Sequence, residues 1–473
     1  MGWKAAWTNP RVRRAVFWAV HILVVLCLLV LLGFVNQYWN LDRLLLSPLP
    51  WLHRVWLPVL FLLLYAAGWL AWALWKQTAL SMPAQPTLDD AWKQAIQALR
   101  MANIDLTQTP VVLVFGASPA MSATQLLATS GRPFTINAEY GPLGLCATSE
   151  VICFTLPELS AWARLCRRTD TAAVVPAPQL LGEAPSDTAL SAKPTDAPTR
   201  AEELLLPVRL PQPVDLSAEE SEQCRNGLIG FLTRLRMARD GRVAVNGCLW
   251  LLPWNSMADE ARLECAILAA RADATTLAEA TLSDLPQSVV IVGCEHHPGF
   301  VELLQNTPVR ARAERLYGRS WTPWTNVLAA ERPATIRGGL DWISQSLTPS
   351  LRMQFFQQSP TPERARLTWR WEYEQQSRHL WLTRWISEGL FAGTQHPLTL
   401  LGTYYAGTGT EADHRGFLNP VLQELLLQQN TVSWQAEAHA SDRRAVRLAR
   451  AVTVLLTIAL VFLVWYGWWV LTH

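Results

Sequence analysis

Three long windows of the chain, residues 15–35, 56–75 and 451–470, are apolar and carry no Asp, Glu, Lys or Arg. Each runs for about twenty residues, the length needed to cross a hydrocarbon core about 30 Å thick, so three transmembrane helices are expected. Trp39 and Trp51 flank the loop between the first two windows, and Trp465, Trp468 and Trp469 crowd the end of the third, as amphipathic rings do at a headgroup layer. The first window is longer than a signal-peptide core and leads into Asn36-Gln37-Tyr38-Trp39 rather than a small-residue cleavage pattern, so it reads as a permanent anchor. Lys4, Arg11, Arg13 and Arg14 precede the first window, and Arg443, Arg444, Arg447 and Arg450 precede the third. The positive-inside rule then places the N-terminus and the body (residues 76–450) in the cytoplasm and the C-terminus outside. The expected localisation is a membrane, multi-pass, with the lipid bilayer as one partner.

Between the second and third windows the periodicity changes repeatedly. Residues 88–101 repeat apolar positions at helical spacing, and Thr109-Pro110 then introduces Val111-Val112-Leu113-Val114-Phe115, a run of buried-strand type. Residues 170–215 shift to Pro, Ala, Thr and Ser and lack the apolar surface to order themselves, which predicts a flexible insertion. A helix over 218–237, a strand over 243–252, a helix over 257–279 and a strand over 288–292 complete an alternation of the kind that builds parallel sheets. From 331 to 439 the pattern reads as helical. Thr361-Pro362 suits the cap and first turn of a long helix, with Leu382, Ile386 and Leu390 on one face. Its tryptophans suit helix packing better than a ligand platform.

The loop after the first of these strands, Gly116-Ala117-Ser118-Pro119-Ala120-Met121-Ser122-Ala123-Thr124, stands between strand and helix, where a P-loop would stand. A P-loop needs a second glycine for close approach to phosphate, a lysine for the outer phosphates and a hydroxyl for magnesium. Met121, Ser122 and Ala123 occupy those places, Thr124 lies one position late, and Pro119 removes a backbone donor. Nucleotide hydrolysis is therefore not expected, and no cofactor, catalytic residue or metal ligand is assigned.

Several further words, in order, carry a resemblance. They are Thr129-Ser130-Gly131-Arg132-Pro133-Phe134 after the loop, Val245-Asn246-Gly247, Pro298-Gly299-Phe300, and Leu400-Leu401-Gly402-Thr403-Tyr404-Tyr405-Ala406-Gly407-Thr408. With the layout of hydrophobic windows, the chain resembles the IcmF/TssM family of type VI secretion inner-membrane proteins along nearly its whole length. The resemblance implies an α/β P-loop-like cytoplasmic domain with an α-helical extension and three transmembrane helices, two N-terminal and one C-terminal. Its expected divisions are a hairpin at 1–80, an NTPase-like domain at 81–330 interrupted at about 171–215, a helical extension at 331–448 and a last helix at 449–473. The family's switch segment is matched by Phe154-Thr155-Leu156-Pro157, with an aromatic for its acidic residue. Its base-reading motif is matched by Val292-Gly293-Cys294-Glu295, without the lysine. Degenerate chemistry on a retained fold is the implied outcome.

The partners that the resemblance implies are a TssL/DotU-like membrane protein, baseplate components and further copies of the chain in a homo-oligomer. The family's large periplasmic region would follow the third window. With the sequence closing at Leu471-Thr472-His473, either a separate periplasmic subunit supplies it or the chain is a shortened paralogue. The expected function is a membrane scaffold of a type VI secretion-like apparatus. A membrane NTPase energising such an apparatus and an accessory or regulatory relative are the alternatives.

Charge and cysteine usage remove other classes. The formal net charge is +2 and no domain-sized basic face appears, so no nucleic acid is expected as a partner. Eight cysteines are scattered without a CxxC pair or zinc-type Cys/His spacing and read as reduced, mostly buried thiols. His296-His297 has no ligand spacing and reads as loop, as do the polar residues Glu411, Asp413 and His414.

Overall fold

In the computed structural model, the residues described are 86–117, 122–128, 130–173, 215–239, 242–281, 283–321, 330–357, 360–392, 399–429 and 432–434, with 25, 27–35, 38, 58, 61–62, 65–66, 68–69 and 450. The chain divides into two compact units, Pro83–His439 and a second made of Met1–Met82 with Ala440–His473. Most of the second unit, and residues 174–214 of the expected insertion, lie outside the described residues.

The expectation of three transmembrane helices, and with it the multi-pass membrane localisation, is corrected here. Among the described residues no helix is long and apolar enough to cross a membrane. What the structure contains instead is a mixed α/β sheet of eight strands with helices on both faces.

The sheet strands are β1 (Val111–Phe115), β2 (Ile136–Tyr140), β3 (Leu143–Ala147), β4 (Ile152–Thr155), β5 (Gly247–Pro253), β6 (Pro286–Val292), β7 (Gly318–Ser320) and β8 (Thr399–Tyr405). Their spatial order is β2-β3-β4-β1-β5-β6-β8-β7. The five central strands, β4 to β8 through β1, β5 and β6, pair in parallel, and β2, β3 and β7 add antiparallel edges. Parallel strands are covered on both faces and read as unbroken apolar runs. That explains why β1 is Val-Val-Leu-Val-Phe, with every residue buried.

Alternation within β1 sorts the two faces. Val111, Leu113 and Phe115 point into the larger core, against α1 (Pro86–Met101), α3 (Ala161–Ala173), α4 (Ala218–Ala238) and α5 (Glu260–Thr281). Val112 and Val114 point into the smaller one, beneath α2 (Ala123–Ala128) and α12 (Leu418–Leu427). The chain leaves β4 on one side of β1 and returns as β5 on the other. The strand order therefore switches at β1, and a crevice opens beyond its carboxyl end, where open α/β sheets bind ligands.

Much of the tryptophan belongs to the larger core rather than to any headgroup layer. Trp162, Trp250, Trp371 and Trp385 are fully buried, and the Phe115 and Trp250 rings stack at 4.3 Å.

Much of the stretch read as a helical extension belongs to an insertion between β6 and β8 of the sheet. The helices between those strands are α6 (Pro298–Asn306) and α7 (Val309–Glu314), which precede the stretch, and α8 (Arg332–Trp342), α9 (Thr348–Phe356), α10 (Pro362–Ser377) and α11 (His379–Arg384) within it. Thr361 caps α10 as its sequence suggests, with Pro362 in the first turn. The expected long helix nevertheless breaks at Arg378, and Ile386 and Leu390 lie in a π-helical segment, Trp385–Phe391. The chain then re-enters the sheet as β8 beside β6, so residues 399–405 are a core strand and not part of a helical arm.

Candidate functional site

The crevice beyond β1 begins at Gly116, whose φ of +92° lies in the left-handed region. A β-carbon there would stand 2.3 Å from the Leu251 carbonyl oxygen and 2.8 Å from Trp162 Nε1, so only glycine fits. The Trp162 indole donates to that same carbonyl at 2.9 Å, closing the floor of the crevice. Trp162 is held in turn by Asp273 of α5, a fully buried carboxylate. It accepts bonds from Ser160 Oγ at 2.6 Å, Ala161 N at 3.0 Å and Trp162 N at 2.9 Å, the orphan donors at the start of α3. Burial pushes the Asp273 carboxyl up to about 6, against the pull of those three donors.

Of the residues singled out in the loop, Met121 lies outside the described residues, together with 118–120. Ser122 precedes α2 and bonds to Glu139 of β2, its Oγ donating to Oε1 at 2.5 Å. It is also tied to Gln125, whose backbone N–H donates to Ser122 Oγ at 3.3 Å. Ala123 and Thr124 are buried in the first turn of the helix. The Thr124 hydroxyl meets the Thr155 hydroxyl at 2.8 Å inside the protein.

That contact identifies which side chain of the switch-like segment meets the loop helix. Phe154 points the other way, into the larger core against Phe231, so the residue that faces the loop helix from β4 is Thr155. In a nucleotide hydrolase the loop hydroxyl and an acidic residue at the strand end share a magnesium ion. Here two hydroxyls satisfy each other. Among the described residues, no group of three or more His, Cys, Asp or Glu is placed to hold a metal ion.

What remains of the crevice is a cavity of about 20 Å³ lined by Gly116, Ser122, Thr124, Glu139, Thr155 and Arg167, among others. That volume holds about one water molecule, whereas small-molecule sites run to roughly 300–1,000 Å³. Sequence reasoning missed Glu139 and Arg167, which reach the crevice from the edge strand β2 and from α3. The Glu139 carboxylate bonded to Ser122 sets a negative charge where a phosphate would need a positive one.

The second segment with a base-reading resemblance is likewise engaged internally. Glu295 Oε2 accepts from the Thr408 backbone N–H at 3.1 Å and its Oε1 from the Thr408 hydroxyl at 3.0 Å. Thr408 Oγ1 also accepts from Gly293 N at 3.1 Å. Glu295 and Thr408 thus hold two segments of the chain together.

No family model matches the chain, and no curated protein and no solved structure is significantly similar to it. The site must be read from its own geometry.

His297 caps α6, its Nδ1 accepting from Gly299 N at 3.1 Å, and burial lowers its pKa. All eight cysteines are free thiols, six of them buried. Cys146 and Cys153 lie opposite each other on β3 and β4, and burial raises both thiols, Cys153 to about 12.

Proposed function

We propose that this chain is a non-catalytic docking scaffold of a type VI secretion-like apparatus, built on an α/β sheet whose nucleotide crevice is closed. The observation that carries the reading is the Thr124–Thr155 hydroxyl pair beneath a cavity of about 20 Å³, with the Glu139 carboxylate at its rim. Side chains that would contact phosphate, magnesium or base are bonded to one another instead. The apparatus itself is suggested by the ordered resemblance to the IcmF/TssM family. The same resemblance suggests a TssL/DotU-like protein, baseplate components and further copies of the chain as partners.

A membrane-independent test is affinity capture of the tagged full chain from its own cell, with mass spectrometry of what is retained. Recovery of a DotU-like protein with baseplate subunits is the expected result, and recovery of neither overturns the secretion reading. The alternative of an NTPase draws on Arg167, the one cation that lines the cavity among the described residues. Saturable magnesium-dependent ATP or GTP binding, abolished by Arg167→Ala, would establish that alternative and remove the closed-crevice argument.

A further inference from the structure

A second cavity, of about 300 Å³, lies away from the closed crevice, between the end of α2, helix α7 and the turn that leads into α12. Its size reaches the lower bound for small-molecule sites. Its lining includes the apolar Leu126, Val309, Ala313, Phe417 and Leu418. It also includes two arginines, Arg312 and Arg415, and Ser130.

Arg312 is the unusual member. It is only 7 % exposed, it donates a single bond, Nη1 to the Asp413 carbonyl at 3.3 Å, and its Nε has no partner. A buried cation with unused donors and no carboxylate against it is costly unless something completes it. Arg415 is fixed beside it by the carbonyls of Gly409 and Thr410, the former at 2.8 Å from Nε.

The walls are also held in place. Phe417 has a φ of +70°, a left-handed conformation that bulky residues rarely adopt, and its N–H donates to the Arg312 carbonyl at 2.7 Å. Strain of this kind persists where the surroundings over-determine it, and it clusters at ligand clamps. Phe417 thereby ties the apolar wall to the residue that carries the cation.

We propose that this cavity binds a small organic carboxylate with an apolar body, the anion on Arg312 and Arg415 and the body against Phe417 and Leu418. The planar guanidinium fork suits carboxylate and phosphate alike. Asp413 also lines the cavity without pairing with either guanidinium, so the lining holds two cations and one carboxylate, and the excess of a single positive charge favours a monoanion. This assignment does not depend on the scaffold reading, because it uses neither the crevice nor the partners.

The test is titration of the full chain with benzoate, phenyl phosphate and benzyl alcohol, followed by calorimetry or ligand-observed NMR. Saturable benzoate binding, with benzyl alcohol at least tenfold weaker, is expected. Ala313 is an exposed cavity residue, so Ala313→Trp fills the space without disturbing a core and should abolish binding at an unchanged Tm. Arg312→Met should weaken benzoate at least tenfold and leave benzyl alcohol unaffected. Absence of saturable benzoate binding, or binding that survives Ala313→Trp, overturns the site. Phenyl phosphate binding more tightly than benzoate overturns the monoanion assignment.

Discussion

Asp273 Oδ2 accepts a hydrogen bond from Ser160 Oγ at 2.6 Å, and through this contact the middle of α5 fixes the start of α3, the helix that floors the crevice. Both residues are buried, and neither element carries a sequence signal for the other.

The pairing makes stability depend on pH in a direction opposite to that of a surface carboxylate. The Asp273 carboxyl titrates near 6 in the folded protein, against about 3.9 in an unfolded chain. Between those values the folded state holds more protons, so stability falls as pH rises from about 4 to about 6 and is level above. Urea unfolding at pH 4, 5, 6 and 7 should show that slope in the wild type and lose it in Asp273→Asn. Asp273→Ala, which leaves three donors without an acceptor, should cost about 3 kcal/mol.

The Thr124–Thr155 pair predicts a non-additive double mutant. Thr124→Val or Thr155→Val alone leaves a buried hydroxyl unpaired and should cost about 1–2 kcal/mol, whereas the double variant removes both hydroxyls and should cost less than the two singles together. Additive losses in a urea double-mutant cycle would show that the two hydroxyls do not depend on each other.

Two glycines in the helical insertion should respond in opposite senses. At Gly299 on α6, a β-carbon would stand 2.0 Å from the Leu367 carbonyl oxygen and 2.9 Å from Trp371 Cβ of α10. At Gly338 on α8 it would meet nothing within 4 Å. Gly299→Ala should destabilise by about 2 kcal/mol or more through forced separation of the helices. Gly338→Ala should stabilise by up to about 1 kcal/mol through helix propensity. Tm shifts of the same sign for both would contradict the packing described.

Arg239, only 3 % exposed, donates to the carbonyls of Leu106 at 3.0 Å and Thr109 at 2.8 Å and to Asn246 Oδ1 at 3.2 Å. Asn246 Oδ1 also accepts from Val111 N at 2.9 Å, so the Val245-Asn246-Gly247 word secures the entry of β1. Arg239→Lys keeps the charge but cannot reproduce a three-way fork, and a loss of about 2 kcal/mol is expected in chemical denaturation. A lysine variant as stable as the wild type would mean the fork is dispensable.

Legibility followed the range of the interaction. Residues 111–115 read as a buried strand because parallel pairing hides both faces, and α1 read as a helix because Leu88, Ala91, Ala95 and Leu99 recur on one face. The strand expected over 243–252 starts at Gly247, after Asn246 has turned its side chain to the entry of β1. Residues 399–405 were placed with helices by their neighbours in sequence, yet β6 offers them a parallel partner more than a hundred positions away. Hydropathy marked three windows as apolar, but no helix among the described residues is long and apolar enough to cross a membrane. The loop's lost lysine and second glycine were visible as letters, whereas the Glu139 contact came from a strand that no motif tied to the loop.

The sequence by itself determined local elements such as α1 and β1, and it shows that residues 116–124 lack the second glycine and the lysine of a phosphate loop, because propensity, periodicity and motif spacing are properties of adjacent residues. Only the tertiary structure decided that Thr155 rather than Phe154 faces Thr124, that Asp273 caps α3, and that Arg312 and Arg415 share one cavity. Those outcomes depend on which side chains are desolvated together. Desolvation sets the cost of an unpaired hydroxyl, carboxylate or guanidinium, and it exists only once distant segments have packed.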